Sequence, residues 1–320
     1  MPTAQSSAPV LPPAGSRAPD MTFKLAAFSA ALVILGLIVL VGYELYHGAG
    51  VAIAKFGPRF LVSSDWDPVS DQYGALPFIF GTLVSSLLAL LIAVPLGVAT
   101  ALFLTELAPF RIRQPIMVVV EMLAAVPSVI FGLWGIFVLI PWLRDHLFVW
   151  LKHTLGFLPL FQGPIYGVSM LAGGIIVAIM ILPIVTSISR EILRSVPGLQ
   201  REAAYALGAT RWEVIRIAVL SYARRGLFGA AVLGLGRALG ETMAVTMVIG
   251  NRPEISASLF APGYTLASVI ANEFTEATSD LYLNALFELG LVLFAVTILI
   301  NVLAQVMLRS MGSGGVTKVN

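Results

Sequence analysis

An all-α integral membrane protein with six transmembrane helices is predicted by three observations. Only 11% of the 320 residues are charged, against about 25% in soluble domains. Hydrophobic residues make up 58% and the mean hydropathy is +0.93, too apolar for a soluble fold to cover itself with polar surface. Six stretches meet or approach the roughly 20 apolar residues that cross a hydrocarbon core. The same composition excludes other classes. A net charge of +2 is no phosphate-backbone footprint for nucleic acid. The absence of cysteine removes disulfides, thiolate metal sites and cysteine nucleophiles.

Residues 1–20 hold five prolines among Ala and Ser, which predicts a disordered cytoplasmic tail. Met21 is a second candidate start. Residues 21–320 form the transmembrane domain, with its core at about 70–310. The spans are expected at 25–43, 76–104, 116–143, 165–188, 226–250 and 281–308. The first apolar run exceeds the ~7–15 residues of a signal h-region, and no A-x-A-like site follows it, so it reads as an uncleaved anchor. Pro95, Pro127 and Pro183 fall inside spans and predict kinks.

Six spans put both termini on one side. Of the 19 Lys and Arg, only Lys55, Arg59, Arg144, Lys152 and Arg252 fall in the loops opposite the termini, and Arg237 lies within a span. The positive-inside rule places both termini in the cytoplasm, and the pI of 9.0 is a topology signal. Three outer loops remain, near 44–75, 144–164 and 251–280. Each is too short for an independent domain. Asp65, Asp67 and Asp71 make the first acidic. Trp66 and Trp142 suit an interfacial belt. His146 and His153 flank residues 147–151, read as a helix on the membrane surface, and no metal site is expected.

The cytoplasmic loop at about 190–225 is the informative inner segment. Pro197 suits the first turn of a helix. Good helix formers follow to Leu207, including Glu202, Ala203 and Ala204. Gly208 stands where a C′ glycine ends that helix. Thr210-Arg211-Trp212-Glu213 is a capping-box pattern that starts another. The sequence therefore writes a two-helix elbow, a rigid knob suited to docking into a partner.

Intramembrane charges cost about 2.5–3.5 kcal/mol on insertion scales and are functional candidates by default. Four are expected: Glu121, Arg237, Glu241 and Glu288. Arg237 and Glu241 stand at i and i+4 on one helical face, among Gly234, Gly236 and Gly240, whose spacing allows another backbone to approach closely. They could neutralise each other, or line a polar path. The planar fork of Arg suits an oxyanion. No G-x-x-x-x-G-K-[ST] occurs, so no phosphate-cradling loop is present in the chain.

Glu202-Ala203-Ala204-x-x-x-Gly208 resembles the EAA loop of ABC importer permeases, although Ala218-Val219-Leu220-Ser221 stands where that family usually has Ile-x-Leu-Pro. The runs Gly234-Leu-Gly-Arg237-Ala-Leu-Gly-Glu241-Thr242-Met and Glu121-Met-Leu-Ala-Ala-Val-Pro127-Ser128 are similar to the phosphate permeases of that family, the PstC subunits. The resemblance implies a type I importer fold. It also implies a permease subunit that does no covalent chemistry, and a coupling helix carried by Glu202, Ala203, Ala204, Gly208 and Arg211. Arg237 and Glu241 are implied to serve transport, with Glu121 and Glu288 as further candidates for the path. The implied partners are the paired permease PstA, two copies of the ATPase PstB holding ATP and Mg, and the phosphate-binding protein PstS. Rival expectations are a permease for sulfate, molybdate or a phosphonate, the PstA subunit itself, a secondary transporter, and an intramembrane enzyme. The last would need a nucleophile–base or metal constellation that the spans do not supply.

Overall fold

The computed structural model describes residues 17–310, with side chains from residue 21 onward. Among the described residues there are helices and no strands, only isolated bridges such as Asp67 with Gln72. Eleven helical segments organise the chain. They are α1 (Arg17–Gly48), α2 (Gly50–Phe56), α3 (Leu76–Leu107), α4 (Phe110–Ala124), α5 (Ser128–Leu155), α6 (Met170–Arg194), α7 (Gly198–Ala206), α8 (Arg211–Leu239), α9 (Met243–Val248), α10 (Leu266–Glu273) and α11 (Asp280–Ser310). Six of them, α1, α3, α5, α6, α8 and α11, are long and apolar enough to cross a membrane. The helical part of the predicted tail begins at Arg17; residues 1–16 lie outside the described residues.

Position in the bundle follows from burial. The most apolar window of α6 is 67% buried and that of α1 is 0% buried, so α6 is the central post and α1 the peripheral one. α6 packs against α3, α4, α8 and α9. Its contacts close over small residues, and Gly234 of α8 leaves a Cβ position only 2.9 Å from Val185 of α6. The main apolar cluster gathers Ile176, Ile181, Val248, Ile249 and Phe260, among others. A second cluster holds Phe60, Phe78, Tyr264, Leu266 and Leu289 at the outer ends of α3, α10 and α11.

Two spans depart from expectation. The third is α5, displaced by twelve residues from the predicted window. Residues 110–124 form a separate helix, α4, and the chain breaks at Ala125–Pro127 before α5 starts at Ser128. The fixed φ of Pro127 and its missing N–H favour a break over a kink here. The apolar run is nearly continuous across the break, so hydropathy alone does not register the window. The predicted surface helix at 147–151 is instead the outer end of α5, where His146 Nδ1 lies 3.1 Å from the Trp142 carbonyl oxygen. Two π-helical turns, Gly135–Leu139 and Leu143–Phe148, interrupt α5.

The fifth span is α8, which begins at Arg211 and ends at Leu239, with the short α9 after a break at Gly240–Thr242. α9 packs against the start of α5, so the helices that follow the two breaks touch. The third outer loop is also more than a connector. Residues 262–269 are buried, and carbonyls of Ala261 and Leu259 accept from the free N–H groups of Met170 and Leu171 at the start of α6. The loop thereby satisfies donors that a helix N-terminus leaves open. α10 begins with its own capping box, Thr265 with Ser268.

Candidate functional site

The predicted elbow is present in atomic detail. α7 ends in a Schellman motif: Gly208 N–H donates to the Tyr205 carbonyl at 2.9 Å and Ala209 N–H to the Ala204 carbonyl at 3.2 Å. Gly208 has φ +82°, a conformation that L side chains rarely adopt. No atom lies within 4 Å of the Cβ position there, so backbone conformation and not space demands glycine. Two residues later Thr210 caps α8. Its hydroxyl accepts from Glu213 N–H, and the Glu213 carboxylate accepts from Thr210 N–H at 2.7 Å. None of the residues of α7 is buried. Leu199, Tyr205, Leu207 and Trp212 all stand exposed, an apolar surface on a rigid bend. Glu202, Ala203 and Gly208 are exposed, and Ala204 is half-buried.

Arg211 turns back from the elbow to donate to the Glu106 carbonyl at the end of α3. Arg201 does the same more thoroughly. It donates to the Val196 carbonyl at 2.6 Å, the Leu193 carbonyl at 3.0 Å and the Glu106 carboxylate at 2.9 Å. Sequence reasoning missed the pairing of Arg201 with Glu106, which are separated by 95 residues.

Arg237, in the last turn of α8, and Glu241, within the break that follows, are brought together at 3.6 Å. Glu241 is buried, and its Oε1 accepts from Ala244 N–H at 3.4 Å, holding the start of α9. Arg237 is half exposed. The close backbone approach predicted at Gly236 and Gly240 is not made within this chain: nothing lies near Gly236, and Gly240 meets only its own helix. The packed glycine is Gly234.

The other two predicted charges lie elsewhere. Glu121 is exposed on α4 rather than within a span, and it lines a cavity of about 290 Å³ with Ala124, Pro183 and Ser187. Glu288 is buried on α11, and its Oε2 has no hydrogen-bond partner. The four charges therefore do not form one cluster.

The end of the bundle away from the elbow carries a second polar feature that sequence reasoning missed. Glu273 Oε2 accepts from Trp66 Nε1 at 2.9 Å and from the Tyr282 hydroxyl at 2.6 Å. Trp66 is thus a packed clasp between the first and third outer loops, against Tyr73 and Phe78, rather than a belt residue. Nearby, burial pushes the Tyr73 and Tyr264 hydroxyls above the usual phenol range, so both stay neutral. Trp142 is exposed and stacks on His146.

A family model described as a binding-protein-dependent transport system inner membrane component matches residues 93–313. The chain belongs to this family. The match opens within α3 and takes in the elbow, the α8 break and α11, leaving α1 and α2 outside the matched segment. The phosphate transport system permease protein PstC of Mesorhizobium japonicum is 48% identical over 293 residues, covering 90% of each chain. Its Haemophilus influenzae namesake is 45% identical over 296 residues, covering 91% of this chain and 94% of that protein. Among solved structures, the inward-facing MetNI methionine ABC transporter aligns with 72% of this chain and 91% of its own chain. The TM-score is 0.49 and the identity 19%.

Proposed function

We propose that this chain is the permease subunit of an ATP-driven inorganic phosphate importer and provides its alternating-access path. The likeness to two PstC proteins over about nine-tenths of the chain carries this reading. The half-exposed Arg237, with its buried carboxylate neighbour, agrees with an oxyanion cargo. In this reading the elbow of Glu202, Ala203, Ala204, Gly208 and Arg211 docks into the ATPase. The open glycines of α8 accept the paired permease, as small residues do in membrane interfaces. The partners are PstA, two copies of PstB, which bind ATP and Mg, and PstS at the outer face. Both termini lie in the cytoplasm.

The test is reconstitution of the four proteins in vesicles with labelled phosphate. Uptake that needs ATP and PstS, and that excess sulfate or molybdate does not compete, is expected. Competition by either ion would assign a different oxyanion. Orientation is checked with an impermeant thiol reagent, since the chain supplies no background cysteine. Cysteines at Ser64 or Ser279 should label from outside, and cysteines at Ser7 or Ser313 should not.

A further inference from the structure

We propose that Glu106 is a positioning residue that locks the two-helix elbow to the inner end of α3, so that the elbow and α3 move as one body during the transport cycle. The inference rests on the reading of the elbow as the docking knob.

The elbow's own apolar packing lies in its second helix, where Val214 and Ile215 are buried. A small cluster of Ala101, Leu193, Val196, Val219 and Ala223 closes the stem beneath it, but nothing in α7 is buried. Polar ties must therefore fix the attitude of α7. Arg201 uses its fork to gather the Leu193 carbonyl in the last turn of α6, the Val196 carbonyl just beyond it and the Glu106 carboxylate. End-of-helix carbonyls lack intrahelical donors, so the guanidinium completes α6 while reaching α3. Arg211, from the second helix of the elbow, donates to the Glu106 main-chain carbonyl. One residue of α3 thus receives both helices of the elbow, one on its side chain and one on its backbone. The Arg201–Glu106 pair is 23% and 16% accessible, sheltered enough to escape the solvent screening that makes most surface pairs worthless.

α3 is in turn packed along α6, the central post. A displacement imposed on the elbow therefore reaches the core of the bundle through Glu106. Without that tie, α7 could shift against α3 without moving it, and part of the ATP would be spent without import.

The experiment uses the reconstituted transporter and measures ATP hydrolysed per phosphate imported. Glu106→Ala removes the carboxylate but keeps the carbonyl that holds Arg211. It should leave ATPase co-purification intact and raise ATP spent per phosphate about fivefold or more, the lower end of ordinary coupling between sites. Glu106→Gln keeps an acceptor for Arg201 and should fall between that variant and the native protein. A native ratio in Glu106→Ala, or in Glu106→Gln if the alanine variant does not assemble, would overturn the proposal.

A second readout is independent of cargo. Spin labels on Leu107→Cys and Leu199→Cys, both exposed sites, should keep one distance with and without ATP in the native background. They should separate into two distances with Glu106→Ala. A distance that shifts with ATP in the native background would also overturn the tether. If the ATPase fails to bind the native chain while the labels hold a fixed distance, the docking reading fails and the tether stands.

Discussion

Arg237 and Glu241 stand 3.6 Å apart, yet their surroundings differ: the acid side chain is 4% accessible and the arginine 49%. A pair meant only to cancel its charge would be expected to share one environment. Here the carboxylate is fixed by the start of α9, and the guanidinium is left facing outward. Arg237→Gln should lower phosphate uptake, because a hydrogen bond to a charged group is worth about 1.5–3 kcal/mol, roughly a tenfold loss or more. Arg237→Met/Glu241→Met should not recover it. Replacing a merely structural ion pair with apolar residues is often neutral, so near-native uptake by a well-assembled double variant would leave Arg237 a structural residue. Arg237→Lys keeps the charge without the planar fork and separates the two requirements.

Gly208 is the hinge of the elbow's shape. Gly208→Val forces a β-branched residue into φ +82°, at a cost of about 1–3 kcal/mol. Because the position is open, the variant should insert and assemble its spans normally while ATPase co-purification and uptake fall. Native values of both would detach the elbow from coupling.

The capping box offers a graded version of the same experiment. Thr210→Ala removes a cap worth about 1 kcal/mol without altering the turn. Hydrogen exchange at Trp212 and Glu213 should accelerate by about the fivefold that this energy implies, with a smaller loss of transport than Gly208→Val causes. Unchanged exchange would show that the box contributes nothing to local order.

At the outer face, the Glu273 carboxylate joins residues from three parts of the chain. Tyr282→Phe removes one donor and leaves the ring stacked on Tyr73. A loss of about 1.5–3 kcal/mol is expected, read as a lower thermal midpoint of the purified complex. Trp66→Phe should act in the same direction, and the double variant should lose less than the sum because both serve one acceptor. Full additivity would mean that the two bonds are independent.

The elbow was legible in the sequence because every bond that shapes it is local. The turn of Gly208, the cap of Thr210 and the reply of Glu213 span five residues or fewer, and each is a side-chain type suited to its place. The six spans were legible from hydropathy, but two of their boundaries were not. Across 110–155 and 211–250 the apolar content hardly changes where the helix breaks, and the deciding signals were Pro127 and the Gly240–Thr242 break. The ties of Glu106 with Arg201 and of Trp66 with Glu273 join residues 95 and 207 apart, and no local pattern encodes which distant charge a side chain will meet. The same holds for Glu121: its sequence position within an apolar run gave no sign that α4 stands apart from the span.

The π-helical turns of α5 have a consequence for how this helix can vary. Each wide turn spends one residue more than a regular turn, which rotates everything beyond it by about 100° relative to an uninterrupted helix. A helical wheel drawn straight through Ser128–Leu155 therefore assigns the wrong face after Gly135 and again after Leu143. Leu143 and Phe148 are buried, whereas Phe137 and Trp142 are exposed. Excising one residue at Phe137 would remove the first wide turn and rotate the buried pair away from the core. Such a deletion, harmless by length or hydropathy, would act as a frameshift in three dimensions, and the outer half of the span tolerates substitution far better than it tolerates loss of a single residue.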